Sequence, residues 1–127
     1  MNTLLKASFI YFGIEDETLI IGFADDEFET NDYLLLQKSL YLDDNQLLNQ
    51  IHITINNQDR SKYGGIVSIS QGTKLITIIL TNETAESLKV STRIDIEYDI
   101  DDEKRQTLTD YFYKLNVDNE IIFEVHR

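Results

Sequence analysis

Cysteine is absent from this chain, and so are proline and tryptophan. Without cysteine there is no disulfide framework, no thiolate nucleophile and no thiolate metal site. With no proline and only five glycines among 127 residues, collagen-like and linker-like compositions are excluded. Long apolar runs are also missing. No stretch approaches the ~18 to 20 apolar residues that cross a bilayer as a helix. The opening MNTLLKASFIYFG is broken by Lys6 and Ser8 and lacks a signal-peptide cleavage pattern. The expected location is therefore the cytoplasm of the producing cell.

Positive charge is scarce as well. Eleven Lys and Arg oppose twenty-three Asp and Glu, for a formal charge of −12. Such a chain repels phosphate backbones and anionic membranes, so neither nucleic acid nor membrane is an expected partner. It attracts and steers basic partners. The bland alternative is that the acidity only keeps the protein soluble.

What is present is a folding chain. Hydrophobic residues make up 42%, and the length suits a single domain spanning 1–127. The dominant period is two. In TRIDIEYDI, Ile94, Ile96, Tyr98 and Ile100 face one way, while Arg93, Asp95, Glu97 and Asp99 face the other. QIHITIN repeats this with Ile51, Ile53 and Ile55 inward. TKLITIIL is apolar on both faces and reads as central. TLLKASFIYF, TLIIGFA, DYLLLQKSL, GIVSISQ and EIIFEV complete the strand candidates. GIEDE reads as a hairpin turn, ADDEFETND as a longer acidic loop, and SQGTK as a tight turn with positive φ at Gly72. Gly64 and Gly65 suit a bulge or sharp bend.

Two helices are expected. Residues 82–89 make a short one with Asn82 as N-cap. Residues 101–116 make a longer one, with Leu108, Tyr111, Phe112 and Leu115 on a single stripe. Asp101, Asp102 and Glu103 favour its start, Lys114 its end, and Asn116 a left-handed close. The fold class is α+β: a mostly antiparallel sheet of about seven or eight strands, with the long helix on part of one face.

Catalytic machinery is not visible. Nucleophilic catalysis needs a nucleophile, a base and an orienting group. The only imidazoles are His52, on a strand's polar face, and His126, next to the last residue. The YGGI segment has neither phosphate-loop nor dinucleotide spacing. The run Asp95, Glu97, Asp99, Asp101, Asp102, Glu103 lacks the glycine and glutamate spacing of a calcium loop. It reads better as a solvated, charged sheet edge, and no metal or cofactor is expected. A cation- or small-ligand-binding accessory domain is the alternative function. The one enzymatic reading left open is a hydrolase using paired carboxylates.

Two acidic clusters are candidate partner surfaces. The first is Asp25, Asp26, Glu27, Phe28, Glu29 and Asp32, followed by Tyr33. The second is Asp95, Glu97, Asp99, Asp101 and Asp102. Aromatic anchors within a charged rim have the composition of a protein interface. For the first cluster the alternative is a solvated loop with Phe28 tucked into the core.

Several segments carry a resemblance together. They are ETLIIGFADDEFETNDYLLLQKSL, ITINNQDRSKYGGIVSIS, and TKLITIIL followed by TAESL. Their shared pattern lies at Gly22 to Glu27, Tyr33 to Lys38 and Ile55 to Ile66. In order and spacing they resemble the tenth immunity protein family of bacterial polymorphic toxin systems. The resemblance implies a cytoplasmic antidote that is not an enzyme and that binds the toxin domain of a contact-dependent or secreted toxin. A toxin acting on nucleic acid would be basic, as the charge balance prefers. The family supplies no catalytic residues. Tyr63, Gly64 and Gly65 match its motif and are read as serving a backbone bend.

Overall fold

A computed structural model describes residues 3–41 and 44–126. It is α+β, with ten strands in two five-stranded sheets rather than seven or eight in one. The strands are β1 (Thr3–Ala7), β2 (Phe9–Glu15), β3 (Thr18–Ala24), β4 (Tyr33–Ser39), β5 (His52–Ile55), β6 (Asn57–Tyr63), β7 (Ile66–Gln71), β8 (Leu75–Leu80), β9 (Arg93–Tyr98) and β10 (Ile122–Val125). The helices are α1 (Asn82–Leu88) and α2 (Asp102–Leu115), and a 3-10 turn spans Gln46–Asn49.

Sheet B is an antiparallel meander in the order β2-β3-β4-β5-β6. Its first hairpin turns on Asp16 and Glu17, both left-handed (φ 49° and 62°). Two such residues match the right-handed twist of the flanking strands. Sheet A has the order β1-β9-β8-β7-β10. Its centre is antiparallel, but β1 joins β9 and β10 joins β7 in parallel. As expected, β8 is central. By contrast β9 is not an edge, because β1 covers its far side.

Two features raise the strand count. TLLKASFIYF is one apolar run, yet it breaks at Ser8, whose N–H donates to the Ala24 carbonyl at 2.9 Å. The chain there passes from sheet A to sheet B. The second feature is β6, whose sequence NQDRSKY shows no apolar alternation. As an edge strand it needs only one ladder, with a bulge between Thr54 and Ile55.

Both sheets and both helices contribute to one buried cluster. Sheet A supplies Ile69, Ile76, Ile78, Ile94 and Ile96; sheet B supplies Leu19, Ile21, Phe23, Leu34, Leu36 and Ile53. Helix α2 touches both sheets, rather than one face of one sheet. Tyr111 stacks on Phe12 of β2 at 5.2 Å, and Phe112 on Phe123 of β10 at 5.2 Å. Leu108, Phe112 and Leu115 of the expected stripe are buried, each contributing roughly 1.5–3 kcal/mol. Thr109 is buried too, and its hydroxyl donates to Gln71 Oε1 at 2.9 Å.

The caps differ in detail. Thr81, not Asn82, is the N-cap of α1, accepting from the Thr84 N–H at 3.2 Å. Asp101 caps α2 through the Lys104 N–H at 2.8 Å. Asn116 is not left-handed (φ −97°). Instead its amide pairs with the Ile121 backbone in both directions at 3.0 Å, and Asn119 (φ 53°) makes the left-handed turn. Gly72 does not take a positive φ. Its turn closes by its N–H donating to the Leu75 carbonyl at 2.7 Å.

Gly64 and Gly65 do take positive φ, 77° and 86°, where the chain leaves β6 for β7. A Cβ on Gly65 would lie 1.8 Å from Thr84 Oγ1 on α1. Gly65→Ala is therefore expected to lower stability by about 2 kcal/mol or more in urea unfolding, from left-handed strain plus the clash. Adding Thr84→Ala should restore part of the loss. A Gly65→Ala loss below about 0.5 kcal/mol would contradict the packing described.

Candidate functional site

The structure separates the two acidic clusters by what their carboxylates already do. The β3–β4 loop, residues 25–32, is closed at its base by the Asp25 N–H donating to the Asp32 carbonyl at 3.0 Å. The Asp25 carboxylate accepts from the Asn31 N–H at 3.0 Å. The Asp26 carboxylate accepts from the N–H groups of Phe28 (2.9 Å) and Glu29 (3.0 Å). These two bonds hold the Asp26 carboxyl below the usual carboxylate range. The Thr30 hydroxyl donates to the Asp26 carbonyl at 2.6 Å. Beyond the base, Asn56 ties the loop to the β5–β6 turn: its amide donates to Asp32 and accepts from the Tyr33 N–H.

Phe28 lies in this loop with 90% of its surface exposed. The alternative of a phenylalanine tucked into the core is thereby overturned. Its two neighbours, Glu27 and Glu29, are exposed as well. Local sequence brings these six candidate residues together, and the loop's own hydrogen bonds fix their arrangement.

The second cluster is largely committed to the fold. Asp95 is half-buried, accepting from Thr77 Oγ1 at 2.9 Å and pairing with Arg93 at 3.0 Å. Glu97 stands opposite Lys6 in the β1–β9 register. Asp101 is the cap of α2, and Asp102 pairs with Arg105 one turn on. Asp99 is exposed beyond the end of β9. Among the described residues no three His, Asp or Glu side chains converge where a metal could sit.

Neither histidine is assembled with a nucleophile. His52 stacks on Tyr63 at 4.5 Å and lies 3.3 Å from Gln37 Oε1. Its burial pushes its pKa down, so it is neutral at neutral pH. His126 lies 3.6 Å from Glu124.

One ionic group escaped sequence reasoning. Lys38, at the end of β4, is only 3% exposed. It pairs with Asp118 at 3.0 Å and donates to the Asn49 carbonyl, joining the segment after α2 to sheet B. Glu120 in the same segment accepts from the Ile51 N–H at 3.0 Å. Burial raises the Glu120 carboxyl above its ordinary 4.5, against the opposing pull of the Ile51 bond and Lys38.

The described residues contain no helix long and apolar enough to cross a membrane.

A raised folded pKa means that the folded state holds the Glu120 proton more tightly than the unfolded chain does. That contribution to stability is present below 4.5 and is lost as pH rises through the folded value. Glu120→Gln keeps an acceptor for Ile51 and removes the titration. The stability of the wild type relative to Glu120→Gln should therefore fall as pH rises from about 4 to about 7. A pH-independent difference in urea midpoints would contradict this.

No curated protein and no solved structure matches the chain. The family model for immunity protein 10 matches residues 6–106, which contain all of sheet B, the β3–β4 loop, three of the five strands of sheet A and the end of β1. By that match over most of its length, the chain belongs to the immunity protein 10 family.

Proposed function

We propose that this chain is the antidote to a cognate toxin domain, which it neutralises by stoichiometric binding through the β3–β4 loop. The observation that carries this reading is Phe28, 90% exposed in a loop that its own hydrogen bonds hold in place. A fixed loop loses little conformational entropy on binding, and an exposed aromatic gains the most from entering a pocket. Leaving a phenylalanine in water costs roughly 1.5–3 kcal/mol against burying it, which a bound partner would recover.

The flanking carboxylates set the partner's chemistry. Residues 25–32 contain five acidic side chains and no Lys or Arg, so the toxin surface that receives them is basic. A toxin acting on nucleic acid has such a surface in its substrate groove. An acidic antidote there would compete with the substrate's phosphates. The protein acts by binding, without catalysis of its own, in the cytoplasm of the producing cell. Neither nucleic acid nor membrane is its partner.

The test uses the purified cognate toxin domain. Phe28→Ala should weaken binding by about 10-fold or more. The bonds that order the loop come from Asp25, Asp26, Thr30 and Asp32, so reversing Glu27 and Glu29 to Lys removes none of them. That double variant should associate more slowly, and the wild-type association rate should fall as salt rises from about 50 to 300 mM. Unchanged affinity in both variants, with a salt-independent rate, would rule out the loop as the interface.

A further inference from the structure

A loop of eight residues is small for a lasting complex, since a standard interface buries about 800 Å² on each partner. The rest of the surface must come from something beside it. Side chains alternate along β2 to β5, so those opposite the buried Leu19, Ile21, Phe23, Leu34 and Leu36 form an outer face. Both helices pack on the inner side. Arg60 and Lys62 of β6 bond α1, and Phe12 of β2 meets α2. Neither helix covers the outer face; its side chains on β3 and β4 are half-buried among one another, Thr54 is buried between them, and the 3-10 turn borders it at one end.

Its composition is unlike the rest of this acidic molecule. The register sets Tyr11 beside Gly22 and Leu35, and Ile20 beside Gln37 and His52, with Tyr63 next along. Among the described residues of β2 to β5, Glu15 is the only charged side chain on this face, and it lies at the end. His52 is neutral at neutral pH through its burial, so it adds no charge. A groove of 290 Å³ opens between Gln37, His52 and Tyr63. Charge returns only at the two ends of the strands. The β3–β4 loop stands at one, and Glu15, Asp16 and Glu17 at the other, with no Lys or Arg in either segment.

Tyrosine-rich, charge-depleted centres with charged rims distinguish interface cores from ordinary surface. The outer face of sheet A makes the contrast. It exposes Leu4, Leu75 and Ile122, but Lys6 faces Glu97 and Arg93 binds Asp95 within it. Charged side chains thus stand across its middle, not only at its ends.

We infer that the outer face of sheet B, continued at Ala24 and Tyr33 into the β3–β4 loop, is where the toxin domain docks, with an apolar centre bordered by Lys and Arg on the toxin side. The inference rests on the immunity reading and says which surface serves it. The dimensions agree. Five strands about 4.8 Å apart and seven residues of about 3.4 Å rise give roughly 20 by 20 Å, or ~400 Å² in flat projection. With the side-chain relief and the acidic ends, that approaches the area one partner contributes.

Hydroxyl-radical footprinting of the wild-type chain, free and with the purified cognate toxin domain, tests this without any variant. Tyr11, 38% exposed, and Tyr63 should lose about 5-fold or more of their labelling in the complex, as side chains in an interface core do. Tyr113 on α2, 59% exposed, should label unchanged. In parallel, Leu35→Arg places a cation at the face's centre, and Leu75→Arg does the same on sheet A. The first should weaken binding by about 100-fold and the second by less than about 3-fold, each folded by its melting curve. Equal labelling of Tyr11 and Tyr63 in a formed complex would overturn the inference, as would loss of binding in Leu75→Arg alone. A wild-type chain that forms no complex at all would overturn the immunity reading itself, and this inference with it.

Discussion

The passage from β6 to β7 is the constraint on which the two-sheet arrangement rests. Two consecutive left-handed glycines turn the chain out of sheet B, and the bare Cα of Gly65 lets Thr84 of α1 close over it. The Thr81 N–H donates to the Gly65 carbonyl at 2.9 Å, so the cap of α1 and the bend are one unit. With the crossing at Ser8 on the other side, the two sheets are held by the same chain twice. Their inner faces then have one core to share, and α2 completes it by stacking aromatics on both. What remains outside is one face of each sheet; that of sheet A carries charged side chains across its middle, while that of sheet B carries charge only at its ends.

That division reframes the acidity. A charge of −12 is compatible with solubility alone. In the folded protein many of its carboxylates have structural duties. Asp101 caps a helix, Asp95 binds Thr77 and Arg93, Asp26 folds a loop, and Asp118 neutralises the buried Lys38. The carboxylates without such duties in the β3–β4 loop flank an exposed phenylalanine. Acidic charge here borders an uncharged face instead of covering it. This is the arrangement expected where electrostatics steers a partner and apolar contact retains it.

Much of the fold was legible in the sequence because period two survives wherever one face is buried. β5 and β9 announce themselves in this way, β3, β4, β7 and β8 by runs rich in apolar and β-branched residues, and α2 at its own period. β6 was not legible, because a polar edge strand bonded on one side needs no apolar face. The break at Ser8 was hidden inside a continuous apolar run, and sheet membership is set by pairings far apart in sequence, such as Thr3 with Ile94. The loop cluster could be read as a candidate, but the exposure of Phe28 could not. That exposure depends on backbone bonds which turn the loop away from the core. The outer face of sheet B was hidden for a related reason. Runs such as YLLL and LIIGF are apolar on both faces, and such a run reads as a strand buried twice. Here one of the two faces is open.

Neutralisation by stoichiometric binding is the claim on which the function rests, and a titration reaches it most directly. Activity of the purified cognate toxin domain is followed while the chain is added in known amounts. At concentrations well above the dissociation constant, activity should fall in a straight line and vanish at one equivalent. Activity that persists at several equivalents would contradict the account.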